Sequence, residues 1–214
     1  LAKMVCQVQG ARADGSVDFG KKLALRKMLL FFAAQPGGVV AMEACASAHY
    51  WAREIGNLGH DVKLIPPVYV KPFVKTNKND AADAEAICEA LVRPTMRFAA
   101  VKSAEQQSVL MLHRARELLV RQRTMLINAL RGHCGEFGIV APQGAPKVTD
   151  LIEAIEDPED QRVPTLAREA LGSLIDQLRM AQAQILGLEK KLMVWHRANE
   201  ASRRLETIPG VGVI

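Results

Sequence analysis

The sequence predicts an α/β fold in two parts, a mixed sheet with helices on its faces followed by a long-helix coiled-coil region. Two patterns carry this. Over the first hundred residues, strand-like runs at 3–9, 17–23, 39–42 and 62–65 alternate with helical stretches, in the order hairpin and then β-α units. Between residues 165 and 206 the apolar positions recur instead with a sustained heptad period. The composition agrees, since 214 residues with 49% hydrophobic and 24% charged content make an ordinary globular chain. A chain of this length buries roughly 70% of the surface its unfolded form exposes, so folding needs neither disulfides nor a structural metal.

Residues 3–9 put Met4, Cys6 and Val8 on one face, and Ala13-Asp14-Gly15-Ser16 offers a turn, so 17–23 becomes the second arm of a hairpin. A short helix over 25–34 ends at Pro36-Gly37-Gly38. The run Val39-Val40-Ala41-Met42 is of the kind buried on both faces of a sheet. Residues 47–58 are helical, with Ala48, Trp51, Ala52 and Ile55 on one stripe and Gly59 as the stop. A strand over 62–65 is closed by Pro66-Pro67.

From Asp80 onwards the pattern is helical. One helix covers 80–91, bounded by Arg93-Pro94, and a long helix to about residue 133 opens with the capping box Ser103-Ala104-Glu105-Gln106. After the loop at Pro142-Gln143-Gly144-Ala145-Pro146, a second long helix covers about 165–206. Leu171, Leu178, Ile185 and Leu192 fill its a positions, and Leu174, Ala181, Leu188 and Trp195 its d positions. Such a seam requires a partner, either the preceding long helix or a second copy of the chain.

Charge is unevenly spread. Residues 1–140 hold 19 Lys/Arg against 12 Asp/Glu, whereas 141–214 hold 9 against 11. The basic front points to a polyanion partner, most simply nucleic acid. Cys6, Cys45, Cys88 and Cys134 lie far apart with no Cys-x-x-Cys pair, which argues against a zinc site and suits a reducing compartment. No apolar stretch approaches the roughly 18 residues of a membrane span, and no secretory segment opens the chain, so the expected location is cytoplasmic. The chain starts at Leu1 and stops just after a Pro-Gly-Val-Gly turn, and it reads as a piece of a longer protein.

Four features bear on chemistry. Glu43 follows the third strand, at the carboxyl end where open α/β sheets place their sites, although a solvated helix-start charge would look the same. Asp80 and Asp83 share a helix face at i and i+3, close enough for both to approach one magnesium cluster; an N-terminal cap with a favourable helix dipole is the other reading. Lys71, Lys75 and Lys78 lie just upstream, in a stretch with Tyr69 and Phe73, as expected where a phosphate backbone approaches carboxylates. On the first long helix, Arg114 and Arg121 are seven apart, as are Arg116 and Arg123, and Arg131 follows; these make two basic lines that attract anions or simply flank a solvated helix. Finally, Ile208-Pro209-Gly210-Val211-Gly212 resembles the start of a helix-hairpin-helix, whose turn offers amides to a phosphate. The five histidines lack metal-ligand spacing, and no serine stands beside an obvious base.

Four blocks, in order, resemble one family: residues 42–51 (Met-Glu-Ala-Cys-Ala-Ser-Ala-His-Tyr-Trp), 78–84 (Lys-Asn-Asp-Ala-Ala-Asp-Ala), 117–123 (Glu-Leu-Leu-Val-Arg-Gln-Arg) and 208–212. The sequence is similar to the DEDD-type transposases of bacterial insertion sequences, the bridge-RNA-guided recombinases with a RuvC-like (RNase H-like) domain. The resemblance implies a Mg²⁺-binding Asp-Glu-Asp-Asp tetrad, of which Glu43, Asp80 and Asp83 are three members. The leading aspartate would precede Leu1, and the family's catalytic serine lies in a carboxyl-terminal domain, so no serine here takes that role.

On this basis residues 1–101 are expected to be the RuvC-like domain with its first strand incomplete, 102–206 the helical coiled-coil region, and 207–214 the start of a further domain. The implied activity is Mg²⁺-assisted DNA strand exchange in transposition, inactive in this fragment. DNA and a guide RNA would be gripped by Lys71, Lys75, Lys78, Arg114, Arg116, Arg121, Arg123 and Arg131, with protomers paired through the coiled coil. A RuvC-like structure-specific nuclease and a non-enzymatic nucleic-acid-binding adaptor are the alternatives.

Overall fold

The computed structural model describes residues 4–12, 16–75, 79–142, 144 and 147–213. The chain divides into two compact units, Leu1–Gln107 and Ser108–Ile214.

In the first unit, β1 (Val5–Ala11) and β2 (Val17–Ala24) form the expected antiparallel hairpin, in register from Val5 opposite Ala24 to Gly10 opposite Phe19. The turn residues Ala13, Asp14 and Gly15 lie outside the described residues. Beside them, the Arg12 amide donates to the Ser16 carbonyl at 2.9 Å and the Arg12 guanidinium pairs with Asp18 at 2.9 Å. Gly10 lets the Phe19 ring lie against the backbone, since a Cβ there would sit 2.3 Å from it.

The next helix starts as a 3-10 turn, Leu25–Lys27, and continues as α1 (Met28–Ala33), whose Met28 and Phe32 are buried with Ile55. β3 (Val39–Glu43) and β4 (Asp61–Ile65) pair in parallel, with Val39 opposite Asp61 and Glu43 opposite Ile65. Their crossover is α2 (Ala48–Asn57), as parallel neighbours require. Ala48, Ala52 and Ile55, at i, i+4 and i+7, make its buried stripe, and Gly59, at φ +91°, follows it. On the far side of β4 the Ala99 amide donates to the Leu64 carbonyl at 2.8 Å. α3 (Pro67–Val70) and a 3-10 turn, Lys71–Phe73, lead to α4 (Asp80–Leu91), where Ala86 and Ala90 pack with Ile65 and Val70.

Two expectations are corrected here. The mixed sheet is not continuous: among the described residues β1 pairs only with β2 and β3 only with β4. Nor is β3 buried on both faces, for Val39 is 57% exposed and the other four residues are half-buried.

The helical part holds α5 (Ala104–Gly135), α6 (Val148–Glu156), α7 (Thr165–Ala198) and α8 (Glu200–Glu206). The capping box before α5 forms as expected: the Gln106 amide donates to Ser103 Oγ at 3.1 Å, and the Ser103 amide to Gln106 Oε1 at 2.9 Å. Ile127, Leu130 and Cys134 of α5 share a core with Leu151 and Ile155 of α6 and with Leu171, Ile175 and Leu178 of α7. Arg168 of α7 donates to the carbonyls of Ile155, Asp157 and Asp160, satisfying acceptors at and beyond the end of α6.

All four a positions of α7 are buried, but of its d positions only Ala181 is; Ile175 and His196, one residue beyond d positions, go inside instead. The stripe is broader than a two-helix seam because α7 meets α6 as well as α5 in one core. The helix expected through residue 206 also ends early. Asn199 adopts extended backbone, φ −107° and ψ 113°, and accepts the Ser202 amide at 2.9 Å, which starts α8.

Candidate functional site

Glu43 is the last residue of β3. The Ala44 amide donates to the Ile65 carbonyl at 2.8 Å, and the Cys45 amide turns back to the Glu43 carbonyl at 2.8 Å. The chain enters α2 through Ser47 at φ +67°, the one non-glycine among the described residues in left-handed backbone. Such a conformation costs about 1–2 kcal/mol without a glycine. The side chain of Ser47 makes no capping hydrogen bond to offset it, and strain of this kind gathers at functional turns.

Asp80 and Asp83 occupy the first turn of α4. The cap itself is Asn79 rather than Asp80, with Asn79 Oδ1 accepting the amides of Ala81 at 3.0 Å and Ala82 at 2.9 Å. Because Asn79 meets two of the orphan amides, neither aspartate is the cap, and both lie where carboxylates favour the helix dipole.

Glu43, Asp80 and Asp83 all line one cavity of about 1230 Å³. They do not converge further: among the described residues no group of three or more His, Cys, Asp or Glu is arranged to hold a metal ion. The three carboxylates thus share a cavity without forming a cage.

The basic residues separate into exposed and engaged. Lys71 and Arg114 are exposed, and neither side chain has a partner among the described residues. Lys75 pairs with Glu85 at 2.6 Å, and that hydrogen bond and charge raise the ammonium above its ordinary pKa. Lys78 lies outside the described residues. Arg116 donates from Nε to Glu189 at 2.8 Å and pairs with it again at 2.7 Å, tying α5 to α7. Arg121 stands 3.6 Å from Glu117 on its own helix. Arg123 keeps its Nε buried without a partner among the described residues. Arg131 donates to the carbonyls of Ala141 at 3.2 Å and Gly144 at 2.9 Å, holding the loop after α5. One of the two basic lines is therefore turned into the protein, and Arg114 with Arg121 make the exposed one.

One serine does stand beside a base, against the sequence reading. The kink at Asn199 folds α8 back, so that His196 Nδ1 meets Ser202 Oγ at 2.9 Å and His196 Nε2 meets Glu206 Oε2 at 3.0 Å. The spacings of six and ten residues match no helical period within a segment that reads as helix, so the signal was out of reach of pattern reading. His196 is 5% exposed with both ring nitrogens engaged, which suits a clamp on the helix joint.

A family profile described as Transposase, of the DEDD, IS110 type, matches residues 19–137. The chain belongs to the DEDD transposase family. A Sinorhizobium fredii protein that carries the transposase name y4pF/y4sB is 48% identical over all of this chain and 54% of its own length. A family 20 transposase of Pseudomonas aeruginosa is 46% identical over all of this chain and 64% of its own length. The transposase for insertion sequence element IS1328 of Yersinia enterocolitica is 40% identical over all of this chain and 63% of its own length. The chain thus spans between 54% and 64% of these relatives. The segment matched by the transposase profile contains Glu43, Asp80, Asp83 and the whole arginine set of α5.

Proposed function

We propose that this chain is the carboxylate-bearing and nucleic-acid-facing part of an insertion-sequence transposase that exchanges DNA strands. The observation that supports it is the shared cavity of Glu43, Asp80 and Asp83, inside the segment that matches the transposase family. Rigid elements hold all three, at the end of a strand and in a capped first helical turn.

Four carboxylates and Mg²⁺ are what the family resemblance implies. A bound divalent ion there would polarise a phosphoryl oxygen. As placed, the three carboxylates do not fit an ion cage among the described residues, so no step is assigned through it. The contribution of the chain's own residues is electrostatic positioning. Lys71 lies exposed in the 3-10 turn upstream of α4 and offers an ammonium to an approaching phosphate backbone. Arg114 and Arg121 offer guanidinium groups to a phosphate backbone, of DNA or of a guide RNA alike.

The hairpin and the parallel pair support an RNase H-like reading of residues 1–101, with 102–206 as the helical region. On α5, Met111, Leu118 and Met125 recur every seven residues, each at least 51% exposed, which favours pairing of protomers through this helix. At the far end the Val211 amide donates to the Ile208 carbonyl at 3.0 Å, with Gly210 at φ +84°. Pro209 and Gly210 fill the central positions of a tight turn, as the opening of a further nucleic-acid-binding segment requires.

The test is element excision and joining by a protein of the relatives' full length, scored by the new DNA junctions. Glu43→Gln, Asp80→Asn and Asp83→Asn should each lower junction formation in that full-length protein, where the resemblance implies a fourth carboxylate beside them, with circular dichroism unchanged. Normal junction yield from Asp80→Asn and Asp83→Asn would contradict the reading.

A further inference from the structure

We propose that His49 and Lys102, braced by Arg53, form a seat for a single phosphate group. None of the three lines the carboxylate cavity or belongs to the basic lines of α5. The seat stands on its own geometry; a nucleic-acid backbone as the source of the phosphate rests on the function proposed above. All of its contacts fall within the first unit, between α2 and the residues that lead into α5. His49 stands in the first turn of α2 and Arg53 four residues on, so both share one helix face. The backbone of Lys102 is pinned to that face twice. Its amide donates to His49 Nδ1 at 3.1 Å, and its carbonyl accepts from Arg53 Nη1 at 2.6 Å. The same Nη1 donates to Gln107 Oε1 at 2.6 Å, so the Lys102 side chain leaves from a fixed point.

The hydrogen-bond donors fix the chemistry of the occupant. A backbone amide can only donate, so His49 Nδ1 is the acceptor and the ring proton sits on Nε2. That Nε2 lies 3.2 Å from Lys102 Nζ, an ammonium that donates and cannot accept. Two donors thus face each other at hydrogen-bond distance, and neither has an acceptor among the described residues. An anionic oxygen placed about 2.9 Å from both nitrogens receives both bonds. A metal cation is excluded by the same count, because no lone pair of the ring is left to hold it.

The local field has the matching sign. Burial, and then the charges of Lys102 and Arg53, push the His49 imidazole below its ordinary pKa, which keeps the ring neutral with its proton on Nε2. The first turn of α2 holds no acidic residue, and the helix dipole adds positive potential there. His49, Arg53 and Lys102 are all half-buried, so the seat is open to solvent while its charges are screened less than those of a bare surface. It lies in the basic front of the chain, which favours a phosphate-bearing polyanion as the source.

The probes are inorganic phosphate and, separately, a short DNA duplex, titrated at neutral pH and constant ionic strength into the chain with ¹⁵N-labelled histidines. The ring signals of His49, assigned by their loss in His49→Gln, should show the proton on Nε2 and move saturably with phosphate. Lys102→Gln leaves the backbone ties in place and should weaken that saturation at least about tenfold. Lys102→Arg should retain it, with circular dichroism unchanged in both variants. Movement with the duplex as well supports a backbone source. Movement with phosphate while the duplex fails to bind supports the seat with free phosphate as its ligand, and only the nucleic-acid reading falls. A His49 signal that ignores phosphate, a proton on Nδ1, or an equal response to acetate overturns the proposal, even where the duplex binds elsewhere. So does a His49 that no longer answers phosphate in a protein of the relatives' full length.

Discussion

Arg114 and Arg116 stand two positions apart on α5, a rotation of about 200°, and that separates an exposed cation from a structural one. Arg116 and Glu189 are each under a third exposed, 29% and 28%, and make two short contacts. Arg116→Ala should therefore cost about 1 kcal/mol in denaturant unfolding and leave the salt dependence of DNA binding unchanged. Arg114→Ala should do the reverse, holding stability within about 0.5 kcal/mol while making the log-log salt slope shallower by about 0.9. Equal effects of the two on the slope would contradict this division. Sequence periodicity made both residues visible and could not tell them apart. A seven-residue repeat says which residues share a line, not which line meets a neighbour, and Glu189 lies 73 residues from Arg116. The carboxylates were legible for a better reason, since a strand end and a first helical turn are local features. Their failure to converge was not, because it depends on how β3 and α4 are set in space.

Helix starts are written locally, and Ser103 with Gln106, like Asn79, could be found or nearly found by inspection. α6 obeys the same logic, for Val148, Leu151, Ile152 and Ile155 keep the i, i+3, i+4, i+7 spacing that defines α2. The break at Asn199 is different, because the heptad leads into it and only the fold-back of α8 onto His196 reveals it. His196→Ala should speed hydrogen exchange of α8 amides by at least about tenfold and leave the seam of α7 protected; unchanged exchange in α8 would show that the clamp is idle. The segment between α6 and α7 carries its own pH dependence. Arg162, through its guanidinium and its amide, holds Asp160 down at about 2 against an ordinary 3.8. Arg179 likewise holds Glu156 below its ordinary value. A depressed carboxylate stabilises the fold above its unfolded pKa and ceases to as pH falls through its folded one. Amide protection over residues 157–163 should accordingly persist at pH 4 and fall towards pH 2, and Asp160→Asn should remove that acid limb. Loss already complete at pH 4 in the unsubstituted chain would be inconsistent with these ion pairs.

At the scale of the whole molecule, the charge division was the most informative feature of the sequence. It set a basic front against a near-neutral helical rear, and the exposed Lys71, Arg114 and Arg121 lie within that front. The mixed α/β class and the long helices were legible because hairpin, βαβ unit and heptads are each periodic patterns. Continuity of the sheet was not, since it depends on what borders β1 and β3 rather than on either strand. No helix among the described residues is long and apolar enough to cross a membrane. The role proposed for this chain is to face nucleic acid within a transposase. Its most direct test is fluorescence anisotropy of a labelled DNA duplex, and of an RNA of equal length, titrated with the chain between 50 and 200 mM salt. Three phosphate contacts predict that DNA affinity falls by about 40-fold over that range. Absence of binding to either at 50 mM salt, or an affinity that does not change with salt, would contradict the account.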